Sequence, residues 1–139
     1  MALLVGAILA ICVGLLATVV GLDRDRAFYP VVTIAIASYH ALFAVMGAST
    51  HALVLESLAG AVFLVAAIAG FKRSLWVVAV ALPTHGIFDF VHGLFISNPG
   101  EPDWWPQFCF AYDVAAGAYL AWLLKSGRVH PAAPAVSNG

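Results

Sequence analysis

The stretch PTHGIFDFVHGLF, residues 83–95, decides how many times the chain crosses a membrane. It sets His85, Asp89 and His92 inside an otherwise apolar run, and hydrocarbon rejects all three side chains. Read as a span, it makes five crossings. Left out, it leaves four, and the basic residues then scatter over both faces.

The surrounding composition supports a membrane setting. The chain has 139 residues, room for one domain, of which 63% are hydrophobic and 9% charged, with a mean hydropathy of +0.99. Soluble domains carry about 25% charged residues. Cys12 and Cys109 lie in apolar segments without a C-x-x-C spacing, so both are expected to pack as free thiols. There is no glycine-rich phosphate loop, no G-x-S-x-G and no basic stripe, which excludes nucleic acid as a partner.

A helix needs about 20 mostly apolar residues to cross a bilayer. Five segments meet this: 2–22, 31–49, 52–71, 75–97 and 107–124. The first lacks a basic start and a small-residue cleavage site, so it reads as a retained span rather than a signal peptide. The expected fold is an all-α, polytopic, five-transmembrane-helix bundle over residues 1–125. A flexible cytoplasmic tail over 126–139, rich in Pro and Ala, is expected to follow.

The basic residues give the orientation. Arg24 and Arg26, Lys72 and Arg73, and Lys125 and Arg128 all fall on one side of a five-span chain. The other side carries no Lys or Arg, and its loop NPGEPDWWP, residues 98–106, is acidic. The positive-inside rule places the N-terminus outside and the C-terminus in the cytoplasm. A bacterial inner (plasma) membrane is the expected location. Trp104 and Trp105 are expected at the outer interface, and Phe28, Tyr29, Trp76 and Trp122 at the inner one.

Four acids fall in predicted loops: Asp23, Asp25, Glu101 and Asp103. Glu56, Asp89 and Asp113 lie inside spans, as do His40, His85 and His92. At a rise of about 1.5 Å per residue, Glu56, His92 and Asp113 sit roughly 7–11 Å below the outer boundary. Asp89 and His40 come at roughly 12–14 Å and His85 at about 18 Å. Four helices thus place polar groups in one layer. Three ionised acids there cost up to roughly 10 kcal/mol, with no basic side chain within the spans to offset them. They must be protonated, paired with imidazolium, bound to metal or wetted by a cavity.

His85, Asp89 and His92 stand at i, i+4 and i+7, on one helical face. The rise from His85 to His92 is about 10 Å, too far for both to bind one ion, but with acids from other helices the face could hold two. The expected metal ligands are Asp89, His92, Glu56, Asp113 and His40, with zinc, iron or manganese as the ion. The expected catalytic residues are Asp89, His85, Glu56 and Asp113. Pro83 is expected to kink this span, while Gly86 and Gly93 allow close helix approach. His51 reads as interfacial, Cys109 as core, and Tyr39 and Tyr112 as packing residues beside the polar layer.

The leading functional expectation is an enzyme acting on a lipophilic substrate, either by metal activation of water or oxygen or by metal-free proton transfer. In the second form burial keeps one acid protonated as donor while another, or His85, accepts. The His85–Asp89 pair is similar to the His-x-x-x-acid pair that membrane sterol-isomerase-type proteins carry in a span. That likeness covers one motif on one helix, and it implies isomerisation of a double bond. The long His boxes of membrane desaturases are absent. One alternative is a proton- or metal-ion-translocating homo-oligomer, which requires polar residues to continue toward the cytoplasm. The segments LWVVAVAL (75–82) and VFLVAAIAG (62–70) are dry instead. Another alternative is a non-catalytic accessory subunit docked on a larger complex.

Overall fold

The computed structural model describes residues 1–130, and among these it contains five α-helices and no strand. They are α1 (Ala2–Val20), α2 (Phe28–Met46), α3 (Thr50–Lys72), α4 (Trp76–His92) and α5 (Trp105–Lys125). A single 3-10 turn, Leu22–Arg24, follows α1. Gly21 ends α1 with φ 89, a left-handed stop that a side chain would strain. Ser49 starts α3 by accepting the Ala52 amide on its hydroxyl at 3.2 Å.

Helices α1, α2, α3 and α5 are long and apolar enough to cross a membrane. The fourth expected span ran from 75 to 97, but α4 stops at His92, five residues early. One further irregular turn is held by the Phe95 and Ile96 amides on the His92 carbonyl, each at 2.8 Å. The chain then leaves the helix for the acidic loop.

The bundle is turned inside out relative to a water-soluble protein. Leu4, Leu16, Val19, Leu58, Val62, Val65, Val80 and Phe90 are exposed, whereas His40, Glu56, His85, Asp89, His92 and Asp113 are buried. An apolar surface around a polar interior matches a hydrocarbon solvent, not water.

Helix pairs are drawn together by small residues. On α1, Gly6, Ala10, Gly14 and Ala17 make the buried stripe against α5. A Cβ at Gly6 would lie 2.2 Å from the Phe108 carbonyl oxygen. On α5, Gly117 receives the Pro83 ring, since a Cβ there would stand 2.6 Å from Pro83 Cδ. The helix assignment of α4 runs unbroken through Pro83. Gly86 allows the close approach expected of it, with Asp113 Cβ 3.1 Å from its Cβ position, but Gly93 has nothing within 4 Å.

Several expected placements change. Trp105 is buried against Phe43, with ring centroids 4.8 Å apart, so only Trp104 is exposed at that end. Tyr29 is buried too. Cys12 is exposed on the apolar surface rather than packed. Asp23 is no loop acid, because it is buried and accepts the Thr18 hydroxyl at 2.5 Å. Residues 126–130, expected to begin the tail, turn back so that Val129 is buried. The rest of the expected tail, 131–139, lies outside the described residues.

Candidate metal centre

The buried face of α4 meets α5 on one side and α2 and α3 on the other. The contact at Gly86 sets Asp113 beside His85, whose Nδ1 is 2.8 Å from Asp113 Oδ2. One turn earlier on α5, Cys109 Sγ donates to the same oxygen at 3.8 Å. From α2, His40 Nε2 reaches within 3.4 Å of Asp89 Oδ1, while His85 Nδ1 stands 3.5 Å from Asp89 Oδ2. From α3, Glu56 Oε1 comes within 3.6 Å of His92 Nε2. All six expected site residues are therefore buried and converge on Asp89 or its neighbours. His51 is exposed and takes no part.

The acidic loop closes the end of the cluster away from the basic residues, which the sequence reading missed. Glu101, expected only as a loop residue, has its Oε2 3.0 Å from His92 Nε2 and its Oε1 3.5 Å from His40 Nε2. Burial alone would push the Glu101 carboxyl up; the His40 and His92 rings outweigh it and hold the group near pKa about 2, as a carboxylate. Asn98 donates through Nδ2 to the His40 carbonyl at 3.0 Å and to Glu56 Oε1 at 3.2 Å. Gly100 makes this closure sterically possible, because a Cβ there would lie 1.9 Å from the Phe43 carbonyl oxygen. The signal available in the sequence was loop length, already nine residues at 98–106, and the twelve that separate α4 from α5 are long for a helix–helix connection. Cys109 was visible one turn before Asp113, but a thiol in a span defaults to packing.

Aromatic rings wall the cluster. Phe63 meets His85 edge-on at 4.5 Å between centroids, and Phe88 stacks on His92 at 5.4 Å. Below His85, the buried side chains of α4 are Leu82, Ala79 and Val78, so the polar layer ends there.

The cluster fits a cation. Two groups of side chains offer ligand atoms within 4.8 Å of one another: His85, Asp89, Cys109 and Asp113, and His40, Asp89 and His92. Ligand atoms around a tetrahedral ion with bonds of about 2.0 Å stand roughly 3.3 Å apart, close to most of the separations here. Among the described residues, both Asp89 oxygens, Asp113 Oδ1, Glu56 Oε2 and His40 Nε2 have no hydrogen-bond partner although buried. Buried polar groups are ordinarily satisfied, and carboxylates in particular are not left bare.

These features define the class: an all-helical chain with four helices suited to a membrane and a buried His/carboxylate cluster compatible with metal binding. No family model matches the chain, and no curated protein or solved structure is significantly similar to it.

Proposed function

We propose that this chain is an integral membrane metalloenzyme acting on a lipophilic substrate that approaches from the bilayer. The observation that carries the reading is Asp89, fully buried between two sets of potential ligands, its oxygens 3.4 and 3.5 Å from imidazole nitrogens and neither hydrogen-bonded among the described residues. Asp89, His92, Glu56, Asp113 and His40 would hold zinc, iron or manganese. Such an ion supplies a polarising charge and a water that ionises near neutral pH. In the ion-free site His85 shares a proton with Asp113 across their 2.8 Å contact, and an ion seated between them would displace that proton.

A groove of about 360 Å³ supports the lipophilic substrate. It runs between α1, α2 and α5, with Leu9, Ile36, Tyr39, Phe108 and Tyr112 among its walls. Cys109 belongs both to that lining and to the cluster. An apolar chain entering sideways would come up against the Cys109–Asp113 edge of the site.

The same reading takes α4 as the fifth span. Its 17 residues cover about 25 Å, and the turn after His92 extends it toward the roughly 30 Å of a hydrocarbon core. It also sets the N-terminus outside and the C-terminus in the cytoplasm of a bacterial inner membrane. The dry segment beneath His85 favours a pocket over a channel.

The test is to incubate the purified protein, loaded with zinc, iron or manganese, with a total membrane-lipid extract and follow the lipids by mass spectrometry. A lipid mass that changes with the wild type and not with Asp89→Asn supports the enzyme. Bound metal with no change in any lipid sinks catalysis and moves the reading to ion transport.

A further inference from the structure

We infer that the cluster holds two divalent ions, bridged by the Asp89 carboxylate, with Glu101 from the loop completing the outer ligand set. The inference deepens the metalloenzyme reading and rests on it. The two groups of ligand atoms share Asp89 alone. Asp89 directs one oxygen to each: Oδ1 toward His40 at 3.4 Å and Oδ2 toward His85 at 3.5 Å. A carboxylate presented this way can span ions about 3.5–4 Å apart, the separation usual in two-metal sites.

The inner set is His85, Asp113 and Asp89, with Cys109 next to it on the groove side. Three protein ligands leave a coordination position open, as a catalytic ion requires. The 2.8 Å contact between His85 and Asp113 must widen by about half an ångström to seat an ion. The outer set is His40, His92, Asp89 and Glu101, with Glu56 Oε1 3.6 Å from His92.

Proton placement in the outer set leaves one ring nitrogen of His92 free for an ion. His92 Nδ1 lies 2.8 Å from the Asp89 backbone carbonyl, which can only accept, so Nδ1 carries the proton. Nε2 then faces Glu101 Oε2, 3.0 Å away, donating to it as an imidazolium in the ion-free site and offering its lone pair once an ion displaces that proton. A ring nitrogen fixed by a backbone carbonyl while its partner faces the ion is the usual arrangement of a histidine ligand.

Charge gives the number. Glu56, Asp89, Glu101 and Asp113 bring four carboxylates together, and all six basic residues lie at the ends of helices remote from them in sequence. With His40, His85 and His92 acting as neutral ligands, two divalent ions balance four carboxylates, whereas one ion requires the remaining two charges to be met by protons.

The experiment strips the full chain with EDTA in detergent, reloads it with Mn(II), removes the excess, and reads manganese per chain and the electron paramagnetic resonance spectrum. Two Mn(II) per chain with a spin-coupled spectrum are expected. Glu101→Gln and Asp113→Asn should each fall to one ion with the six-line signal of isolated Mn(II). One uncoupled ion in the wild type overturns the pair and leaves a single-metal site standing. Two uncoupled ions overturn the bridge, as does a Glu101→Gln variant that keeps both. No bound manganese, repeated with zinc and Fe(II), takes down the metalloenzyme reading as well. Wild-type stoichiometry and coupling decide the matter even if a variant fails to fold.

Discussion

Asn98 does at the rim of the cluster what an arginine would do elsewhere. Its amide donates to Glu56 and to the His40 carbonyl without bringing a charge. Asn98→Ala removes both bonds and should cost about 1 kcal/mol, the usual size of an interhelical hydrogen bond in a membrane. Asn98→Asp should cost more, since it faces Glu56 with a second carboxylate. Added Mn(II) should narrow the loss for Asn98→Asp and leave that for Asn98→Ala unchanged. Thermal melts in detergent with and without the ion measure both effects. Asn98 was not legible in the sequence, for it sits in a polar loop where an amide is unremarked. The acids and imidazoles within spans were legible because hydrocarbon gives them so few reasons to be there. Glu101 was hidden by the opposite assumption, that a loop carboxylate faces water.

At the scale of the helices, close approach is a matter of missing side chains. Gly6 has the Phe108 carbonyl where its Cβ would be, and backbone cannot swing aside as a side chain can. Gly6→Ala should force α1 away from α5 and destabilise the fold by about 1–3 kcal/mol. Gly93→Ala, with open space around it, is the matched control and should leave the unfolding midpoint in place. Titration with SDS on both variants compares them directly. Helix number and rough position followed from apolar run length, with α1, α3, α4 and α5 starting within two residues of expectation. Where each helix turns its faces did not, because a span that is apolar all round gives no period to read. That is why Cys12 is expected inside; Trp105 is expected at the interface for another reason, its place in the 98–106 loop.

For the whole molecule, the sign of the charges at each end gives a testable orientation. With Cys12 replaced by Ser, Asp103→Cys should react in intact cells with a membrane-impermeant maleimide. Arg73→Cys should react only after the cells are opened. The reverse pattern would invert the proposed topology, and labelling of both from outside would remove the span between them.

Arg26 ties the end that carries the basic residues. Its guanidinium donates to the Gly70 and Phe71 carbonyls at the close of α3 and to the His130 carbonyl beyond α5. One side chain on the α1–α2 connection thus rivets together three segments far apart in the chain. The opposite end is held by the loop that carries Asn98 and Glu101, whose grip is on the site itself. The bundle therefore carries a clasp at each end: Arg26 on backbone carbonyls at one, and at the other a loop whose hold falls on the very side chains an ion would use.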